Sequence, residues 1–100
     1  MPSVAIKGSI VSTGHACDGT TVLDTPGQGK VYLGGELVAR LGDLTETHSF
    51  PSGDECVSHV ASVIGASSTV FVMGMPVARL GDACDAGSIS FGNGSNVFAG

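Results

Sequence analysis

The chain has 100 residues, 16 of them glycine, and four Lys or Arg against nine Asp or Glu for a formal net charge of −5. That length predicts one domain, 1–100, with a thin core. So few cations exclude nucleic acid and anionic membrane as electrostatic partners, and one Tyr with no Trp excludes a base-stacking platform.

The first residues, "MPSVAIKGSIVSTG", show no charged start followed by an apolar run, so no export leader is expected there. No apolar stretch approaches the ~20 residues of a membrane span. Assembly in the cytoplasm is therefore the expectation. Within this opening stretch, "VAIKGS" (Val4–Ser9) is a weak copy of a phrase that recurs later. His15 and Cys17 follow it after a short link.

The next unit is "KVYLGGELVARLGD" (Lys30–Asp43). It reads as a strand, a tight turn at Gly34-Gly35, and a second extended arm ended by Gly42-Asp43. His48 follows. Residues 57–66, "VSHVASVIGA", come nearest to a helical period, but Val, Ser and Gly favour a strand. "TVFVMGMPVARLGD" (Thr69–Asp82) then repeats the earlier unit without gaps, Val-Ala-Arg-Leu-Gly-Asp included, and Cys84 follows. "NVFAG" (Asn96–Gly100) matches the front half of a unit whose back half is Val4–Ser9. The expected fold is thus all-β, a small pseudo-three-fold arrangement of β-hairpins. The N-terminal arm completes the hairpin that the C-terminal strand begins. Arg40 and Arg79 read as local supports of the arms, since the first copy has Ile6 and Lys7 there.

Three cysteines, an odd number, read poorly as a disulfide framework in a cytoplasmic setting. With three histidines they read as a metal inventory. Each repeat sends a His or Cys from an equivalent place, namely His15, His48 and Cys84, and His59 supplies a fourth. Zinc in a structural role takes four N or S ligands in a closed tetrahedron. Cys17 and Cys56 read as packing residues. A thiol-nucleophile reading finds no orienting Asn or Asp, and Glu46 and Glu55 sit in solvated loop, so no enzyme is expected.

"PVARLGD" and "LVARLGD", preceded by "TVFVMG" and "KVYLGG", resemble the PAAR-repeat proteins, as do "GSIVSTGHAC" and "GDLTETH". The resemblance spans Val4 to Gly100. It implies a cone with a metal near its apex, held by three His and one Cys. It also implies a cap on the trimeric β-helical spike of a phage tail or type VI secretion machine, sharpened to pierce a target envelope. His15, His48 and His59 match the family's histidines. Cys84 sits two residues before the family's position, and Cys56 is the alternative. Zinc is the implied ion, with iron as the other choice. One copy would bind per spike trimer, as a monomer with no stable membrane insertion, assembled in the bacterial cytoplasm and delivered outward. The alternative function is an adaptor that attaches effector proteins to the spike.

Overall fold

A computed structural model describes residues 2–91 and 97–99 of the chain. Its strands are short: β1 (Ile10–Ser12), β2 (Thr20–Thr25), β3 (Tyr32–Leu33), β4 (Glu36–Leu37), β5 (Leu44–Thr45), β6 (His48–Ser52), β7 (Glu55–His59), β8 (Phe71–Val72), β9 (Met75–Pro76), β10 (Ala83–Cys84) and β11 (Gly87–Phe91). Among the described residues there is no helix. The all-β expectation is met.

The Gly-Asp phrase makes a turn. In Arg40–Asp43 the Asp43 amide donates to the Arg40 carbonyl at 3.1 Å, and in Arg79–Asp82 the Asp82 amide donates to Arg79 at 3.0 Å. Gly42 and Gly81 have φ of 88° and 91°, which a type II turn demands of its third residue. The Asp carboxylate reaches back to accept the first residue's amide, 2.7 Å in both copies. Ile6–Ser9 is the same turn: Gly8 has φ 91°, and Ser9 Oγ accepts the Ile6 amide at 3.0 Å. Serine therefore replaces aspartate without loss of the bond.

Before each turn lies an alanine, and the three alanines form a closed ring. The Ala5 amide donates to Ala78 (2.9 Å), Ala78 to Ala39 (2.9 Å), and Ala39 to Ala5 (3.0 Å). Bridges one residue to either side keep the same cyclic order: Ile6 with Val38, Arg40 with Val77, Arg79 with Val4. This is a three-fold axis built by one chain. Core layers stack along it. Val4, Val38 and Val77 form one, the alanines the next, and then come Val11, Thr45 and Cys84 beside Leu23, Val63 and Ile89, all of them buried. The last two sets alternate through the pairs Val11–Ile89, Leu23–Thr45 and Val63–Cys84. The sheet β10-β11-β1-β2-β5 is closed into a ring by residues 61–64, which bridge β5 at Ser62 and β10 at Val63. The long dimension of 41 Å against 24 and 22 Å suits a three-fold body with its axis lengthwise.

The hairpins β3–β4 and β8–β9 hang below the ring, fastened by Val38 to Val31 and Val77 to Val70 bonds of 3.0 Å. The split third hairpin has the same fastening, Val4 to Val97 at 2.8 Å, with Ser3 bridging Phe98. Asn96 and Gly100 of the expected front half lie outside the described residues. The arginines brace the arms. Arg40 donates to the carbonyls of Gly27 (2.8 Å), Met73 (3.1 Å) and Val72 (3.2 Å), so it holds the next hairpin's turn. Arg79 holds its own turn through two bonds to Asp82, 2.8 and 3.0 Å.

Ala78 is fully buried on the axis, so a larger side chain there pushes on both other alanines. Ala78→Val is expected to destabilise the fold by about 1–3 kcal/mol, measured by denaturant unfolding. The exposed Lys7→Ala should change it by less than about 0.5 kcal/mol.

Candidate metal centre

Past the outermost core layer, four side chains meet. His48 opens β6 and His59 closes β7, and they stand opposite each other in the hairpin register. His15 comes from the link between β1 and β2, and Asp85 from the β10–β11 turn. The link and the turn touch backbone to backbone, since the Ala86 amide donates to Thr13 at 3.1 Å. Two glycines allow it. A Cβ on Gly87 would overlap the Ser12 carbonyl oxygen, and one on Gly14 would come 2.5 Å from that of Ala86.

Nε2 of His15 and of His48 each lie 2.7 Å from Asp85 Oδ2, and that of His59 lies 3.1 Å away. Nε2 atoms of His48 and His59 are 2.8 Å apart. His59 packs edge-on to His48, His15 stacks parallel to His48 at a centroid distance of 5.5 Å, and Phe50 covers His59 at 4.4 Å. His48 is buried.

Protons in this cluster are constrained by the outer bonds. Nδ1 of His15 faces the Ala16 carbonyl at 2.9 Å, and Nδ1 of His48 faces that of Glu46 at 2.9 Å. A carbonyl only accepts, so both Nδ1 atoms carry hydrogen and both Nε2 atoms, in neutral rings, present lone pairs. The atom they face, a carboxylate oxygen, is also an acceptor. One Nε2–H from His59 can satisfy one of these atoms. The other lone pairs face each other unless a cation joins them. Extra protons are one answer and a metal ion is the other. Three imidazoles and a carboxylate fit a metal of the borderline class in number and chemistry, and His15, His48, His59 and Asp85 can hold such an ion.

Without metal, protons fill the role. Burial pushes the Asp85 carboxyl up, but the bonds from His48 and His15 outweigh it and hold the group below its ordinary value. The Ala16 carbonyl, and then Asp85, raise His15.

The three histidines expected as ligands come together, but Cys84 does not join them. It occupies the core layer with Val11 and Thr45 and is fully buried. Burial, and then the Asp85 charge, push its thiol up to about 11, so a thiolate is disfavoured there. The third unit instead sends the next residue, Asp85, from a turn position with φ 59°. A carboxylate in a Gly-Ser-rich stretch reads as solvated loop, and only its place just after Cys84 signalled otherwise.

Cys17 and Cys56, expected to be packing residues, form a disulfide. Both are exposed. The odd count misled because Cys84 belongs to the core and the other two are a pair. Closing a loop across a sequence separation of 39 stabilises by about 4 kcal/mol in the chain-entropy picture.

A family model described as PAAR motif matches residues 14–89. No curated protein sequence matches the chain.

Replacing Asp85 with Ala should weaken metal retention about 10-fold or more, while Cys84→Ser leaves the bound metal in place. Metal content after dialysis distinguishes them, and the opposite ranking would restore the thiolate.

Stability should also change with pH in opposite senses with and without metal. In the metal-free chain the raised His15 contributes fully below about pH 6.5, and this is lost as pH rises through its folded value. The lowered Asp85 contributes fully above the ordinary carboxylate range, and this is lost as pH falls. A metal needs neutral imidazoles. Between about pH 6 and about pH 8 the metal-free Tm should fall and the metal-loaded Tm should rise. Parallel profiles would contradict the assignment.

Proposed function

The chain belongs to the PAAR-motif family, whose role is structural and associated with the spike tip of contractile injection systems, and we propose that it caps a trimeric β-helical spike as a metal-stabilised point. The observation that carries this reading is the internal three-fold. A trimer ends in three equivalent surfaces, and one chain can meet all three only if it presents the same group three times. Tyr32, Phe71 and Phe98 occupy equivalent places in the three hairpins, and all are more than half exposed, at 56%, 57% and 53%. They lie beyond the Val4, Val38 and Val77 layer, across the alanine ring from the histidines. Exposed aromatic rings repeated about an axis are an apolar docking surface.

The exposed strand edges of a β-helix invite association unless covered, and short hairpins can pair with them through the backbone. At the other end, a zinc ion on His15, His48, His59 and Asp85 would staple three segments that have little core between them. Such a closed, rigid point suits piercing of an envelope. Iron is the second ion the donor set accepts.

The test mixes the chain with its spike trimer and measures stoichiometry. One copy should bind per three spike chains, with affinity little changed between about 50 and about 500 mM salt. The triple variant Tyr32→Ala, Phe71→Ala, Phe98→Ala should bind at least about 10-fold more weakly. Three copies per trimer, or undiminished binding by the triple variant, would refute the cap.

A further inference from the structure

The link 13–19 carries His15, and the hairpin β6–β7 carries His48 and His59. Outside the histidines themselves, three ties join these two segments. The Ser49 amide donates to Asp18 Oδ2 at 2.8 Å. The Asp18 amide donates to the Ser49 carbonyl at 3.2 Å. The third tie is the Cys17–Cys56 disulfide. It lies two residues beyond His15 and three before His59.

The link does not hold its shape by local preference. Cys17 has φ 73°, a left-handed conformation that L side chains other than Asn and Asp seldom adopt. Something must impose it, and the covalent bond is the strongest tie at that residue. Without it the remaining two ties are hydrogen bonds at an exposed site, which water competes for. The disulfide is itself open to solvent, with both cysteines exposed, so a thiol or phosphine can reach its sulfurs. Cys84 is fully buried and takes no part. The chain therefore carries one addressable redox pair, and it sits on the two segments that must stay together for three histidines to meet.

We propose that the Cys17–Cys56 disulfide is a redox latch on the three-histidine centre: closed, it holds His15 against His48 and His59; opened, it frees the link, and bound metal leaves faster. The inference rests on the reading of that centre as a metal site. The chemistry balances as thiol–disulfide exchange. To open, a dithiol's thiolate attacks one sulfur, the S–S bond breaks, and the other sulfur leaves with the electron pair and takes a proton. The dithiol's second thiol then displaces the mixed disulfide and is released as a cyclic disulfide, so the chain gains two electrons and two protons. Closing runs in reverse, with a small-molecule disulfide as the oxidant. In a reducing compartment the latch is open and metal exchanges; in an oxidising one it closes on the ion.

The test compares three forms of the full chain: oxidised, reduced by a phosphine that is then removed without air, and the double variant Cys17→Ser, Cys56→Ser. Thiol titration verifies each state. Zinc-loaded samples are challenged with a chelating dye. Metal-free samples are followed by amide hydrogen exchange. Zinc loss should be about 10- to 100-fold faster from the reduced and double-variant chains than from the oxidised chain. The Ser49 and Asp18 amides should exchange about 10-fold faster, with Ala5, Ala39 and Ala78 still protected as the measure of an intact fold. Equal zinc loss and equal exchange in all three forms would overturn the latch. Slower loss from the reduced chain but not from the double variant would also overturn it, since the free thiols would then be ligands. If the oxidised chain binds no zinc, the metal reading fails by itself, and the exchange at Ser49 and Asp18 still decides whether the disulfide holds the link.

Discussion

Everything in this fold depends on three peptide groups that donate to one another in a circle. The amides of Ala5, Ala78 and Ala39 each bond to the next carbonyl at 2.9–3.0 Å, and the circle closes without leaving an orphan. A ring this small brings three Cβ atoms near one axis, where side chains larger than alanine have no room. That constraint explains the Val-Ala pair in every repeat. The alanine makes the ring, and the valine before it fills the wider layer beneath. It also explains the Gly-Asp or Gly-Ser that follows, because the chain must turn sharply away from the axis and have its first amide capped as it does so.

The ring and its turns were legible because backbone geometry forces specific residues into a fixed phrase. Arg40 and Arg79 were legible as supports for the opposite reason: Ile6 stands in the same place, so no chemistry common to all three units can need a guanidinium. The apex was only partly legible. Histidines are few, and His15 and His48 after repeat ends, with His59 between repeats, point to one place. The fourth member of the cluster is not legible because spacing locates a residue only to within one or two positions, while burial depends on each one. Cys84 falls on an inward position of the barrel layer and Asp85 on the turn beyond it. The disulfide was hidden for another reason. Its partners come from a link and a hairpin outside the repeat, and their proximity is a property of the closed barrel.

The apex is an electrostatic arrangement left incomplete by its own residues. Carbonyls fix hydrogens on the far side of two imidazoles, and this turns their lone pairs inward onto a carboxylate. A core would normally avoid such a meeting of acceptors. Here it is held in place by short connections, two crowding glycines and a disulfide. The same features that make the cluster unfavourable when empty of positive charge make it able to hold a cation.

The hairpin shared between the two ends of the sequence has a consequence for assembly. Ala5 comes before both of its ring partners, Ala39 and Ala78, in the chain, and its arm is fastened by Val97. The first arm can pair with the second repeat through Ala39 and Val38, but the ring closes only with Ala78 and the hairpin only with Val97. The three-fold is complete only once residues far apart in the chain have met, so it cannot be assembled one repeat at a time.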